Sequence, residues 1–187
     1  DSTFALAHAG IAEIYDRLAS AGFARPNEAW PEVRRHVERA LALDPDLVEG
    51  WLSLAELKLY YDYDARSAEK AFDRALELDP NHAMGLFWHG WFLGAFRGRF
   101  AESIAEMKRA ASLDPLWPRI FFGISYMYIA MGEYDSALVY IDRIARIDSN
   151  DAHIFVLKPA IYLRQDKCEE AIEVARKDKL VTIGIKP

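Results

Sequence analysis

Several kinds of residue in this chain have the chemistry for metal binding, anion binding or nucleophilic catalysis. They are His82 with His89, the glycines Gly90, Gly94 and Gly98, Cys168 beside Glu169 and Glu170, and the serines Ser53 and Ser125. An arginine-rich stretch (Arg34, Arg35, His36, Arg39) and a spaced set (Arg39, Arg74, Arg109, Arg143) complete the inventory. The two histidines stand seven apart, which on a helix is about 10 Å. Ligand bonds are about 2 Å, so one ion cannot hold both, and they read as structural or surface histidines. Glycines at intervals of four share one helical face and do not cradle a phosphate. Gly90 reads as a close helix contact and Gly98 as a turn. Acidic neighbours raise a thiol's pKa, the wrong direction for a nucleophile, and neither serine has a nucleophile-elbow context. No catalytic residue, metal ligand or cofactor is therefore expected, and the chain reads as a non-enzyme. The arginine-rich stretch shares its helix with Glu32 and Glu38, as a solvated face does. The spaced arginines fit either a repeated exposed edge or an anion-facing stripe.

The elements that position these residues follow from a repeat. Leu43-Asp44-Pro45, Leu78-Asp79-Pro80, Leu113-Asp114-Pro115 and Ile147-Asp148-Ser149 place their third residues at 45, 80, 115 and 149, a period of 35, 35 and 34. Ala40, Ala75, Ala110 and Ile144 keep the same phase, and so do the four spaced arginines. A fixed period of this length marks a repeat array. Each unit reads as two helices. Trp51, Leu54, Ala55 and residues 57–59 follow a helical period, and so do Ala68, Phe72, Ala75 and Leu78 after a turn at 62–64. Pro80 ends the pair, because proline lacks the N–H and restricts the residue before it. The later turns fall at Arg97-Gly98-Arg99 and Met131-Gly132-Glu133, and a short ambiguous strand pattern occupies 180–185.

Composition narrows the function classes. The chain has 187 residues, 52% hydrophobic and 28% charged, which excludes a disordered chain. Its net charge of −6 disfavours a nucleic-acid partner, since binders of nucleic acid show a basic face. Mean hydropathy is −0.10. The longest apolar run, residues 83–96, covers 14 residues and is too short to cross a bilayer. One cysteine cannot make an internal disulfide. This composition fits a cytoplasmic chain, and a mature periplasmic one has the same composition. A start at Asp1 without a signal-like stretch reads as a segment of something longer.

The periodic residues resemble those of the tetratricopeptide repeat family, whose 34-residue helix–turn–helix carries a W-x2-L-G…Y…A-x3-F…A…P pattern. The second unit matches through Trp51, Leu54, Ala55, Ala68, Phe72, Ala75 and Pro80. Gly90 and residues 110–115 carry the third, and Phe121, Tyr128, Gly132, Tyr134 and Ala137 the fourth. Ile11, Ala12, Tyr15, Ala40 and Pro45 mark the first; Phe155, Tyr162 and Ala171 mark a fifth, interrupted by Pro159. The resemblance implies an all-α, right-handed superhelical solenoid of about five units, a single array over residues 1–187. The units run at about 4–46, 47–81, 82–116, 117–150 and 151–178, with a tail at 179–187. Between its helices the first unit has a long segment, 20–30, with Asn27 as the expected cap of the next helix and Pro31 near its first turn. The second and third units carry one extra residue, expected in the turn. Their phrasing, Tyr61-Asp62-Tyr63-Asp64 and Gly98-Arg99-Phe100, also resembles repeat modules of bacterial signalling proteins such as kinases, nucleotide cyclases and winged-helix regulators.

The resemblance implies a function on the concave face formed by the first helix of each unit. It carries over to Glu13, Arg17, Glu56, Phe87, Trp91, Arg119, Phe122, Tyr126, His153 and Arg164. First helices three and four are apolar nearly all round, so something besides their own repeats is expected to cover them. The occupant reads as a protein or peptide partner, a sister domain, a second copy, or the tail at 180–185. Self-association through repeat ends or the groove is the alternative role. The chaperone-binding members of the family hold a terminal carboxylate in a Lys/Asn/Arg clamp, and Glu13 and Glu56 here would repel one.

Overall fold

Four aspartates explain the period. The backbone N–H of Asp44, Asp79, Asp114 and Asp148 closes the last turn of a helix onto the carbonyl of Ala40, Ala75, Ala110 and Ile144, at 2.9–3.0 Å. The side-chain carboxylate of each then accepts the N–H two residues on, from Asp46, Asn81, Leu116 and Asn150. This is an Asx turn: a short carboxylate stands in for a carbonyl and redirects the chain. The intervening proline or serine costs no backbone donor that the turn needs. The Ala/Ile column is therefore the last helical acceptor, and all four residues are fully buried.

The structure is a computed structural model that describes residues 2–176, so the tail at 180–185 lies outside the described residues. Among the described residues there are ten α-helices and no strand. They are α1 (Ser2–Ser20), α2 (Pro26–Leu43), α3 (Val48–Glu56), α4 (Ala65–Leu78), α5 (Ala83–Arg97), α6 (Phe100–Leu113), α7 (Pro118–Met131), α8 (Tyr134–Ile147), α9 (Ala152–Arg164) and α10 (Cys168–Arg176). A π-helical turn, Leu57–Tyr61, prolongs α3.

Within each pair the chain reverses at a left-handed residue: Gly22, Tyr63, Gly98, Gly132 or Asp166, with φ between 54° and 78°. Phe23, Glu133 and Lys167 donate five residues back, to Leu18, Tyr128 and Tyr162, as a Schellman cap requires. In the second and third pairs the equivalent bonds reach six back, from Asp64 to Lys58 and from Arg99 to Leu93. The extra residue of these units therefore lies in the first helix and not in the turn; in the second unit it is the π-helical turn. Asn27 is likewise not a cap. Pro26 takes the first helical position, Arg25 precedes it without a side-chain bond, and α2 runs on through Pro31. Proline's fixed φ makes it the better helix start. Pro159 is also carried inside α9.

The chain divides into two compact units, Asp1–Phe92 and Leu93–Pro187. In the first, α1 packs on α2, α3 on α4, and both α1 and α2 on α3. Trp30, Val33, Val37 and Leu57 fill its core against Ala12, Ala19 and Ala29, small residues that let the helices approach closely. Phe72 meets His89 and Phe92 at a tilt, and those two rings stack on each other. Each such ring contributes about 1.5–3 kcal/mol by leaving water. In the second unit α6 to α10 pack in sequence order, each on the next except that α10 closes on α9 alone. Met107, Ile120, Ile124, Met127, Ile141, Ile144 and Ile161 are among its fully buried side chains.

One polar contact joins α1 to α2. Nδ1 of His8 and Nδ1 of His36 are 2.7 Å apart, and Arg35 Nη2 lies 3.1 Å from Nε2 of His36. A guanidinium only donates, so Nε2 of His36 accepts. Its proton therefore sits on Nδ1 and is donated to His8. Burial, then the Arg35 charge and His8, lower the His36 pKa against a smaller opposing effect of Glu32.

Candidate partner-binding surface

Several of the residues with chemical potential have structural roles. The Nδ1 of His82 accepts the N–H of Gly85 at 3.1 Å, capping the start of α5. His89 is buried among Phe72 and Phe92, with Asp73 at 3.8 Å. Ser125 donates to the carbonyl of Phe121, and Ser53 is half-buried in α3. Gly98 is the turn residue its position suggests. Gly94 is a close contact: a Cβ there would come within 2.3 Å of the Met127 sulfur and 2.7 Å of Ser103 Oγ. Cys168 is exposed at the start of α10. Among the described residues no group of three or more His, Cys, Asp or Glu is placed to hold a metal ion. No helix among them is long and apolar enough to cross a membrane.

Two of the spaced arginines are engaged within the fold. Arg74 pairs with Asp46 at 2.8 Å and with Glu77. The Arg143 guanidinium lies over the rings of Phe121 and Tyr140, 5.7 and 5.3 Å from their centroids. Lys108 donates to the Tyr128 hydroxyl at 3.1 Å, and Tyr128 stacks on Tyr140. This brace of cations on aromatic rings ties α6, α7 and α8 together.

The first-helix residues fall into two sets. In the first compact unit Arg17 on α1 donates to Glu13, which raises its pKa; the charge of Glu56 on α3 adds to the shift. Arg17 is thus paired with Glu13, with Glu56 near enough for its charge to be felt. Phe87, in α5, is 1% exposed and offers no surface, a correction to its expected groove role. It faces inward because residues 85–94 of α5 are buried, apart from the half-buried Trp88 and Trp91.

In the second unit Phe122 and Tyr126, one turn apart on α7, have ring centroids 6.1 Å apart. Phe122 also meets His153 of α9 at 4.3 Å. Asp151, capping α9, accepts from the backbone N–H of His153 and lies 2.7 Å from its Nδ1, which fixes the ring. Tyr126 remains 44% exposed, and Arg119, in the first turn of α7, and Arg164, at the last position of α9, are also exposed. Most of the apolar surface of α5 and α7 is covered by the chain itself, contrary to the expectation of a wide unfilled face. What stays open is narrow, and its open residues are aromatic, imidazole and guanidinium groups.

Sequence reading missed a cluster at the end of α3. Trp30 stacks on Tyr61, and Asp62 pairs with Arg34 and, at 2.8 Å, with Lys58. Burial pushes the Asp62 pKa up, but Lys58 and Arg34 outweigh it and hold the carboxyl below its usual range. The signal was present as Tyr60, Tyr61 and Tyr63 around an acid, a composition unusual for a short turn.

Residues 118–151 match the family model described as tetratricopeptide repeat. No curated protein matches the chain by sequence. Among solved structures, the chain is similar to PilW, described as a widely conserved type IV pilus biogenesis factor. The TM-score is 0.76 at 21% identity, over 94% of this chain and 80% of that one. A thermophilic TPR protein of Thermus thermophilus gives a TM-score of 0.73 at 17% identity, covering 91% and 89%. MamA of Desulfovibrio magneticus RS-1 gives 0.68 at 16%, covering 89% and 92%. The chain has the fold of the tetratricopeptide repeat proteins, and its residues 118–151 carry that repeat in sequence as well as in shape.

Proposed function

We propose that this chain is a non-enzymatic protein-interaction scaffold that holds a peptide or a sister domain on the first-helix face. The observation that carries the reading is the strip of Phe122, Tyr126 and His153, where successive first helices meet through their rings. Aromatic side chains offer large, rigid contact area, and with arginine they recur as interface hot spots. His153 is oriented by Asp151 before any partner arrives, so little ordering is left for binding to supply. Trp91, Arg119 and Arg164 add to the aromatic and cationic character of the first helices, whereas Glu13, Arg17 and Glu56 form a compensated charged patch on the N-terminal ones.

The test is an array of synthetic aromatic and apolar peptides probed with the wild-type chain and with Trp91→Ala combined with Tyr126→Ala. Neither side chain is in the buried core, so helical circular dichroism should be unchanged. The expected result is a subset of peptides retained by the wild type and lost by the variant. An array on which both chains give the same pattern refutes the groove.

A further inference from the structure

Among the described residues, nothing covers the apolar seam on the outer face of α1. Phe4, Ala7, Ile11, Ile14 and Leu18 are spaced by three, four, three and four, the a/d register of a coiled-coil helix, and all five are exposed. The opposite face, Ala5, Ala9, Ala12 and Ala19, is the one buried in the fold. Phe23 follows the seam directly: its N–H bonds to the carbonyl of Leu18 in the Schellman cap, a motif in which residues at those two positions commonly meet. Phe4 is 64% exposed, Ile11 36%, Ile14 58%, Leu18 37% and Phe23 84%. At roughly 200 Å² for a bare large apolar side chain, these five leave on the order of 550 Å² open. That reaches the upper range for patches on a solitary protein and approaches the roughly 800 Å² per partner of a stable interface.

A second observation is independent of exposure. Gly10 sits in the middle of this 19-residue helix, where glycine costs about 1 kcal/mol against alanine. A Cβ on Gly10 would meet nothing within 4 Å, so packing inside the chain does not require the glycine. Beside Ala7 it makes a low step on the seam where another helix can approach closely.

We propose that two copies of this chain pair through the outer faces of their α1 helices. The seam carries no charge, and Glu13 and Arg17 on its flank already cancel as an ion pair. An identical surface therefore meets no like-charge repulsion. Pairing is antiparallel: Ile11 then faces Ile14 of the second copy, and small Ala7 faces Leu18. A parallel pairing would instead set Phe4 against Phe4 and alanine against alanine. Opposed helix dipoles favour the same choice. This surface is distinct from the groove of the proposed function, so either reading can fail alone.

The test is solution mass by light scattering after size exclusion, across a hundredfold range of concentration. The wild type is expected to reach twice the 21.3 kDa of one chain. Ile11→Glu with Ile14→Glu should return it to the single-chain mass with helical circular dichroism intact. Gly10→Leu, whose Cβ meets nothing within 4 Å in the fold, should weaken the dimer in the same assay. Val156→Glu, an exposed apolar position on α9, should leave the mass of the wild type unchanged. A single-chain mass at every concentration overturns the proposal, and so does a dimer that survives the α1 double variant.

Discussion

Tyr63 turns its hairpin with φ of 54°, a conformation in which an L side chain crowds its own backbone. Three of the other four reversals use a glycine with no Cβ contact, Gly22, Gly98 and Gly132, so the same geometry is available free of strain at equivalent positions. Replacing Tyr63 by glycine removes about 1–2 kcal/mol of left-handed penalty. It also returns about 0.4–1 kcal/mol to the unfolded chain as added freedom. The ring is 86% exposed, so little buried area is lost. The net expectation is a gain of about 0.5–1 kcal/mol, or a rise of about 1–4 °C in Tm for a chain of this size. Gly132→Ala is the mirror experiment. Nothing lies within 4 Å of the added methyl, so the backbone alone decides, and stability should fall by a similar amount. Both are read by thermal denaturation followed by circular dichroism. If Tyr63→Gly is neutral or destabilising while Gly132→Ala destabilises, the Tyr63 ring makes a contact that outweighs its strain, and the reasoning fails.

The His36 pKa lies below its ordinary 6.5, so the unfolded chain binds more protons as the pH falls. Its contribution is present above 6.5 and lost below; the urea midpoint should drop between about pH 7.5 and pH 5.5, and His36→Gln should flatten that slope. An unchanged slope in the variant would show that other groups carry the acid sensitivity. Because Arg17 is already paired with Glu13 and feels the charge of Glu56, peptides ending in a free carboxylate should bind no better than their amides. A strong preference for the free acid in a titration would refute this, as would its loss on Glu56→Lys. Asp79→Ala removes the acceptor for the Asn81 N–H and should cost about 0.5–1.5 kcal/mol in thermal denaturation. A neutral result would show that water replaces the Asx turn at no cost.

The joints were legible because their chemistry is local: an aspartate, the residue after it and a carbonyl four back are all adjacent in sequence. The helix starts were less so. Asn27 looked like a cap by residue type, but Pro26 before it fixes φ at the first helical position and wins. The extra residue of the second and third units is invisible as a location, since its place depends on whether an N–H reaches five or six residues back. Phe87 and Phe122 hold the same position in their first helices, yet one is buried and the other half-buried. That difference comes from what packs over each helix, which no single unit encodes. Pairings such as Arg74 with Asp46, 28 residues away, likewise need the fold. The α1 seam was readable as a heptad, but in a repeat array the 34-residue period drew attention away from it.

The position of the added residue makes one half of the second, third and fourth repeats elastic and the other half constant in length. Tyr63, Gly98 and Gly132 each stand 16 residues before the aspartate of the next joint, Asp79, Asp114 and Asp148. Their distances from the start of the first helix differ: 15 residues from Val48 and from Ala83, but 14 from Pro118. A template of fixed length laid along a 35-residue unit therefore slips by one at the reversal, and it stays in step along residues 118–151, the one stretch matched to the repeat model. An insertion or deletion of one residue before a reversal is absorbed by a wider or narrower cap. The same change between reversal and joint would turn every side chain of the second helix by about 100° and strip its buried face. Length variation among the second, third and fourth units thus falls in one place, whereas the first unit, whose Gly22 stands 22 residues before Asp44, lengthens the half that follows its reversal.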